Sequence, residues 1–170
     1  MRVYIPATTS LLRVLAETSE FGTPPITAFA VTAGLREWYV DDDLEELEYA
    51  ACLEAARASL HLLTVDPDAA PRRVVVAAEL PDSAVTVRDD LDRGVVRIAT
   101  PVSMQQITSV HVDDSDAEPA VRVAAAVVDA ADLGDPDAEN AVDDTEGFEL
   151  AWYATQELGA LLELLSRRSP

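Results

Sequence analysis

The feature that most constrains this chain is a helical stretch with more apolar surface than one buried face can use. Between Asp43 and Leu63, the residues Tyr49, Leu53, Ala56, Leu60 and Leu63 recur at helical spacing. Leu47, Ala51, Ala55, Ala58 and Leu62 recur on nearly the opposite side, and Glu46, Glu54, Arg57 and His61 form a narrow polar stripe. A helix apolar around most of its circumference is mostly buried. The spacing therefore predicts one long, largely buried helix over 43–63. It lies against a sheet and has its back covered by a second helix or a second subunit. Asp41, Asp42 and Asp43 open it, where negative charge complements the helix dipole by roughly 0.3–1 kcal/mol each.

Strands and helices alternate on both sides of that helix. Residues 2–6 read as a strand, followed by a helix capped by Thr8 or Thr9 and carrying Leu11, Leu12, Val14 and Leu15. Residues 26–32 form a second strand, and 33–40 a helical turn bearing Trp38 and Tyr39. The run Val74-Val75-Val76-Ala77-Ala78 marks a buried strand over 72–80. An edge strand over 84–88 and strands over 95–102 and 107–112 follow. Asp114 or Ser115 caps a helix through Val121, Ala124, Ala125 and Val128. Asp135-Pro136 fits an N-cap with proline at the first helical position. The last strand covers 148–153. Thr155 caps a final helix over 158–165, which closes on Arg167 and Arg168 at the end that favours positive charge. Val3-Tyr4-Ile5-Pro6-Ala7-Thr8 and Ala151-Trp152-Tyr153-Ala154-Thr155 echo each other. They are either two generic strand-to-helix turns or two related halves. At 170 residues the pattern predicts a single α/β domain spanning 1–170, with α+β as the variant. Its sheet is mixed, with about five to seven strands and helices packed on it.

Charge narrows the function. Thirty-two acidic residues face twelve basic ones, all arginine, for a net charge of −20. No basic surface is available to neutralise phosphates, which argues against nucleic acid or an anionic membrane as partner. The missing lysines fit either a GC-rich genome or adaptation to salt. Aromatic residues make up only 5%, so Ala, Val and Leu must supply the core. One cysteine, Cys52, excludes an internal disulfide and a cysteine-rich zinc site. No signal-peptide h-region follows Met1-Arg2, and no apolar run approaches the ~18 residues of a membrane span, so a cytoplasmic protein is expected. Gly-x-Ser-x-Gly, Walker, dinucleotide and His-Glu-x-x-His patterns are all missing from the sequence. No cofactor and no resident metal are expected.

A few clusters can carry chemistry. His111-Val112-Asp113-Asp114-Ser115-Asp116 places imidazole and carboxylates at a strand end, a donor set that suits a divalent metal. Helix capping by Asp114 and Ser115 explains part of it equally well, and the spacing does not fit a calcium loop. Arg36-Glu37-Trp38-Tyr39 is either a pocket wall or partner hot spot, or a place where Trp38 plugs the end of the core. Trp152-Tyr153 reads as strand core. His61 reads as a surface histidine. Neither it nor His111 is followed by the hydroxyl residue that two-histidine phosphoesterases need. Cys52 reads as core, with no basic residue close in sequence to activate it. From Asp129 to Glu163 there are eleven acids and no arginine, a solvated surface or an imitation of nucleic acid.

Several stretches also carry a resemblance. They are Met1-Arg2-Val3-Tyr4-Ile5-Pro6-Ala7-Thr8, Ala30 to Tyr39 leading into Glu45-Glu46-Leu47-Glu48-Tyr49, Arg72-Arg73-Val74-Val75-Val76, His111-Val112-Asp113 and Glu149-Leu150-Ala151-Trp152-Tyr153. Together they resemble a family of small acidic actinobacterial proteins, a domain of unknown function. The resemblance implies a GC-rich source and supplies no activity or catalytic residue. The function expected on these grounds is a non-catalytic protein-interaction module, homodimeric, binding a protein partner or itself. Arg36, Trp38, Tyr39, His111 and Asp113 are its candidate ligand or partner surface. The alternative is a small enzyme, or a protein binding a metal or an anionic ligand through His111 and Asp113 with Arg36 on the anion. A second alternative is an acidic nucleic-acid mimic.

Overall fold

The computed structural model describes residues 1–40 and 43–167. In chain order the elements are β1 (Arg2–Ala7), α1 (Thr9–Thr18), β2 (Glu20–Phe21), β3 (Ile26–Phe29), α2 (Ala33–Trp38) and α3 (Leu44–Leu63). Then come β4 (Val74–Glu79), β5 (Val85–Val87), β6 (Val95–Ile98), β7 (Val102–Ser103), β8 (Ile107–Asp113), α4 (Glu118–Asp132), α5 (Pro136–Asp144), β9 (Leu150–Ala154) and α6 (Leu158–Arg167). One sheet of seven strands runs in the order β5-β6-β3-β1-β4-β8-β9, and β2 with β7 makes a separate two-stranded ribbon. The single stretch expected over 95–102 is thus two strands, one in each sheet.

Alternating side chains sort the central strands onto two faces. Val3, Ile5 and Ala7 of β1 join Val74, Val76 and Ala78 of β4 under α1 and α6. Tyr4, Val75 and Ala77 point the other way, under Leu47, Ala51 and Ala55 of α3. The expected mixed sheet is corrected on one point: every neighbouring pair in it is antiparallel. The apolar run of β4 reports burial on both faces, which parallel sheets usually show. Here helices cover both faces of an antiparallel sheet, and the run carries no information about direction.

The long helix forms where the spacing places it. Asp43 caps it, accepting from the Glu45 amide at 3.0 Å; Asp41 and Asp42 lie outside the described residues, as does Arg168. Ser59 ties the helix to the sheet, donating to the Ala7 carbonyl at 2.7 Å and accepting from the Val74 amide at 3.1 Å. Its back is covered by α4 of the same chain, with Leu60 among Val121, Ala124 and Val128. That cover reaches only the C-terminal half. Near the N-terminus Leu44 and Tyr49 are exposed.

Two of the expected caps are made. Thr8 accepts from the Leu11 amide at 3.3 Å, and Asp135 accepts from the amides of Asp137 and Ala138 with Pro136 opening α5. Three are not. Asp114 and Ser115 give no side-chain cap to α4, which is entered through a short 3-10 turn. Thr155 instead donates to the Ile107 carbonyl at 3.0 Å. Among the described residues, no helix is long and apolar enough to cross a membrane.

Candidate functional site

Where α4 stops covering α3, a pocket of about 360 Å³ opens between that helix and the sheet. Glu45, Glu48, Tyr49, Cys52 and Leu53 reach it from one stripe of α3, because residues three and four apart share a helix face. Tyr4 and His111 enter from β1 and β8, Arg73 from the residue before β4, and Phe148, Glu149 and Leu150 from the approach to β9. A second groove, lined by Tyr39 and Asp43, shares Glu45, Tyr49 and Leu53 with it.

The innermost charge is the Arg73–Asp113 pair, whose side chains are 3% and 0% exposed. Arg73 donates from Nε to Asp113 Oδ2 and from Nη2 to Oδ1, both at 2.8 Å. Its backbone amide donates to Oδ2 and its Nη2 also donates to the Phe148 carbonyl, again at 2.8 Å. Among the described residues nothing accepts from the remaining nitrogen, Nη1. Arg72 next to it points away, pairing with Glu118 at 2.9 Å and donating to the Asp113 carbonyl at 3.1 Å.

Three other pocket groups, His111, Cys52 and Tyr4, are held neutral. Burial lowers the His111 pKa below its ordinary value. One ring nitrogen, Nε2, lies 3.0 Å from the buried Ser109 hydroxyl, which leaves Nδ1 without a partner among the described residues. Burial pushes the Cys52 thiol up to about 11, against the pull of Arg73, so it stays protonated at neutral pH. Burial and a 2.9 Å hydrogen bond to Glu48 Oε2 raise the Tyr4 phenol.

A family model for DUF6912, a family of unknown function, matches residues 1–162. The chain belongs to DUF6912. No curated protein and no solved structure matches it. The match spans every residue that lines this pocket of the DUF6912 chain.

The sequence-derived candidates separate in space. His111 lines the pocket. Asp113, two residues on and on the same face, does not serve as a free ligand: both its oxygens are committed to Arg73. Tyr39 lines the neighbouring groove, whereas Arg36 and Trp38 line neither. Trp38 does not plug the core. It is 62% exposed with the Arg93 guanidinium 3.5 Å from its ring centre, and Leu35 is the residue that α2 buries. That helix is clipped in place by Asp89, which accepts from Thr32 Oγ1 at 2.6 Å and from the amides of Gly34 and Gly94 at 3.0 and 2.9 Å. Burial alone would raise the Asp89 carboxyl, but those hydrogen bonds hold it below its usual range.

Trp152 is not strand core either. It sits opposite His111 in the β8–β9 register and is 61% exposed, because β9 is the outermost strand of the sheet. Its neighbour Tyr153 packs inward. Cys52, read as core, is half-buried and borders the pocket. His61 meets two partners on α4, with Nδ1 at 3.2 Å from Asp129 and Nε2 at 2.9 Å from Asp132. Arg57 holds Asp132 from the other side at 2.9 Å. These three groups place their ligand atoms within 4.8 Å of one another, but Arg57 already supplies the positive charge there.

Sequence reasoning passed over Arg73, Tyr4, Glu48, Tyr49 and Phe148. One signal was present: two of only twelve arginines stand at the mouth of the most apolar strand, where an unpaired charge is too costly to bury.

Proposed function

We propose that this protein binds a small molecule, and that the pocket between α3 and the sheet is its site. The carrying observation is Arg73 Nη1, an unclaimed donor on an otherwise fully committed buried guanidinium that lines a cavity. The cavity volume falls in the range of small-molecule sites, and its lining mixes apolar walls with few convergent polar groups. The geometry favours binding over catalysis. The Cys52 thiol is protonated, Ser109 is buried beside His111 and does not line the pocket, and Asp113 is occupied. A thermal-shift library screen tests this. A compound at 100 times its dissociation constant adds about 2.7 kcal/mol, which raises the midpoint of a domain this size by roughly 5–10 °C. Hits should vanish in Leu53→Trp, which fills the pocket, and in His111→Ala. Hits that survive both substitutions place binding elsewhere and end the proposal.

A second reading, a protein-interaction module that self-associates, draws support from Trp152. It stands exposed beside the outer edge of β9, which pairs with no other described strand, and exposed Phe148 lies four residues before it. Edge strands invite pairing with another chain. Sedimentation equilibrium of the native chain and of Trp152→Glu tests it: a dimer that the substitution dissolves is expected, and a native monomer rules it out.

A further inference from the structure

We infer that the ligand is an organic cation that also carries a hydrogen-bond acceptor, its acceptor turned to Arg73 and its positive end toward the pocket mouth. This rests on the binding proposal above. At the inner end, Arg73 Nη1 meets no acceptor among the described residues and is free to donate to one on a ligand. The pair partner Asp113 already cancels the guanidinium charge, so a neutral carbonyl suffices there and no net positive field draws an anion in. At the mouth the charge is negative. Glu45 and Glu149 are exposed and have no ion-pair partner among the described residues. Glu48 faces only Arg2, at 3.7 Å, and the Tyr4 hydroxyl.

Aromatic rings stand among those carboxylates: Tyr4, Tyr49 and Phe148, from three different segments, line the same cavity. Ring faces combined with carboxylates are the chemistry that recognises ammonium groups. The net charge of −20 adds a field that concentrates cations and repels anions. An anionic ligand held by Arg36, the alternative raised by the sequence, would meet this carboxylate mouth, and Arg36 does not line the cavity. A volume near 360 Å³ matches that of about a dozen liquid waters at ~30 Å³ each, which sets the ligand at roughly that many non-hydrogen atoms.

Three probes separate the terms. Acetylcholine joins a quaternary ammonium to an ester carbonyl and has about the right size. Its uncharged isostere, 3,3-dimethylbutyl acetate, keeps the carbonyl and loses the charge. Tetramethylammonium keeps the charge and loses the carbonyl. Binding is read by calorimetry, and its location by protection of Cys52 from iodoacetamide. Acetylcholine should bind at least tenfold more tightly than either fragment and protect Cys52. Glu45→Gln with Glu149→Gln should weaken acetylcholine about tenfold and leave the isostere unchanged. Both glutamates are exposed, so the double substitution spares the fold. Equal affinity for acetylcholine and its isostere, or no protection by acetylcholine at tens of millimolar, overturns the inference. The binding proposal fails separately, if no compound of the wider library protects Cys52 or if its hits survive both Leu53→Trp and His111→Ala.

Discussion

Asp113→Asn is expected to destabilise the protein by about 3–5 kcal/mol, the usual cost of stripping one partner from a buried ion pair. The native carboxylate accepts three N–H groups of Arg73, from N, Nε and Nη2, all at 2.8 Å. Asparagine keeps the shape but offers one acceptor, and it sets its own amide donors against a guanidinium with nowhere to go. Besides that one oxygen, the Phe148 carbonyl at 2.8 Å would still accept from Arg73. With about 2–4 °C of midpoint per kcal/mol for a domain this size, the loss reads as roughly 6–20 °C. In urea, an m-value of about 2 kcal/mol/M puts the midpoint about 1.5–2.5 M lower. Arg73→Met combined with Asp113→Leu should recover most of this, because a well-packed apolar pair is often no worse than a buried ionic one. The readout is a double-mutant cycle in urea followed by fluorescence. A loss below about 1 kcal/mol in Asp113→Asn would mean that water reaches the pair, and the burial argument would be wrong.

Other consequences are independent of that pair. Cys52 should react with iodoacetamide at mildly alkaline pH roughly a hundredfold more slowly in the folded than in the unfolded chain, since its thiol is raised from 9.0 to about 11; equal rates would refute its burial. The lowered His111 pKa fixes a sign: as pH falls below about 6.5 the unfolded chain takes the proton first. Its share of stability is therefore intact above that pH and is lost as pH drops toward the folded value. Urea titrations between neutral pH and about pH 5 should show a shallower decline in His111→Gln than in the native chain. Asp89→Ala should cost about 1–3 kcal/mol and speed amide exchange at Gly34 and Gly94, both of which donate to it. Gly34→Ala should break the same clip, because a Cβ there would lie 2.6 Å from the Asp89 carboxyl carbon; the two costs should not add.

What the sequence made legible was local. Thr8, Asp43 and Asp135 cap helices through atoms two or three residues away, and the spacing of Leu47, Ala51 and Ala55 selects a helix face without reference to anything distant. What stayed hidden depends on register. Asp113 looks like a free carboxylate in the chain, and only the β4–β8 pairing of Val75 with His111 brings Arg73, forty residues earlier, onto it. His111 was visible as a candidate. The pocket around it was not, because Tyr4, Cys52 and Phe148 converge only after three strands and a helix have docked. Trp152 was misread since alternation along a strand says which residues share a face, not whether a helix reaches that face.

The uneven cover of α3 links these findings. At its C-terminal half, Leu60 is buried beneath α4, while Arg57 and His61 reach across to Asp132 and Asp129 and fix where the two helices cross. The same arrangement leaves the N-terminal half of the helix without a partner, and the pocket lies there. One end of the helix therefore serves stability, and the other lines the pocket proposed to bind a ligand. Leu60→Ala should cost about 2–5 kcal/mol by leaving a cavity between α3 and α4, yet below its lowered midpoint it should leave ligand protection of Cys52 unchanged. Asp113→Asn should reduce both, because Arg73 joins the buried pair to the pocket wall. If Leu60→Ala abolished protection under folding conditions, the two ends of α3 would be coupled, and the division of labour along that helix would have to be abandoned.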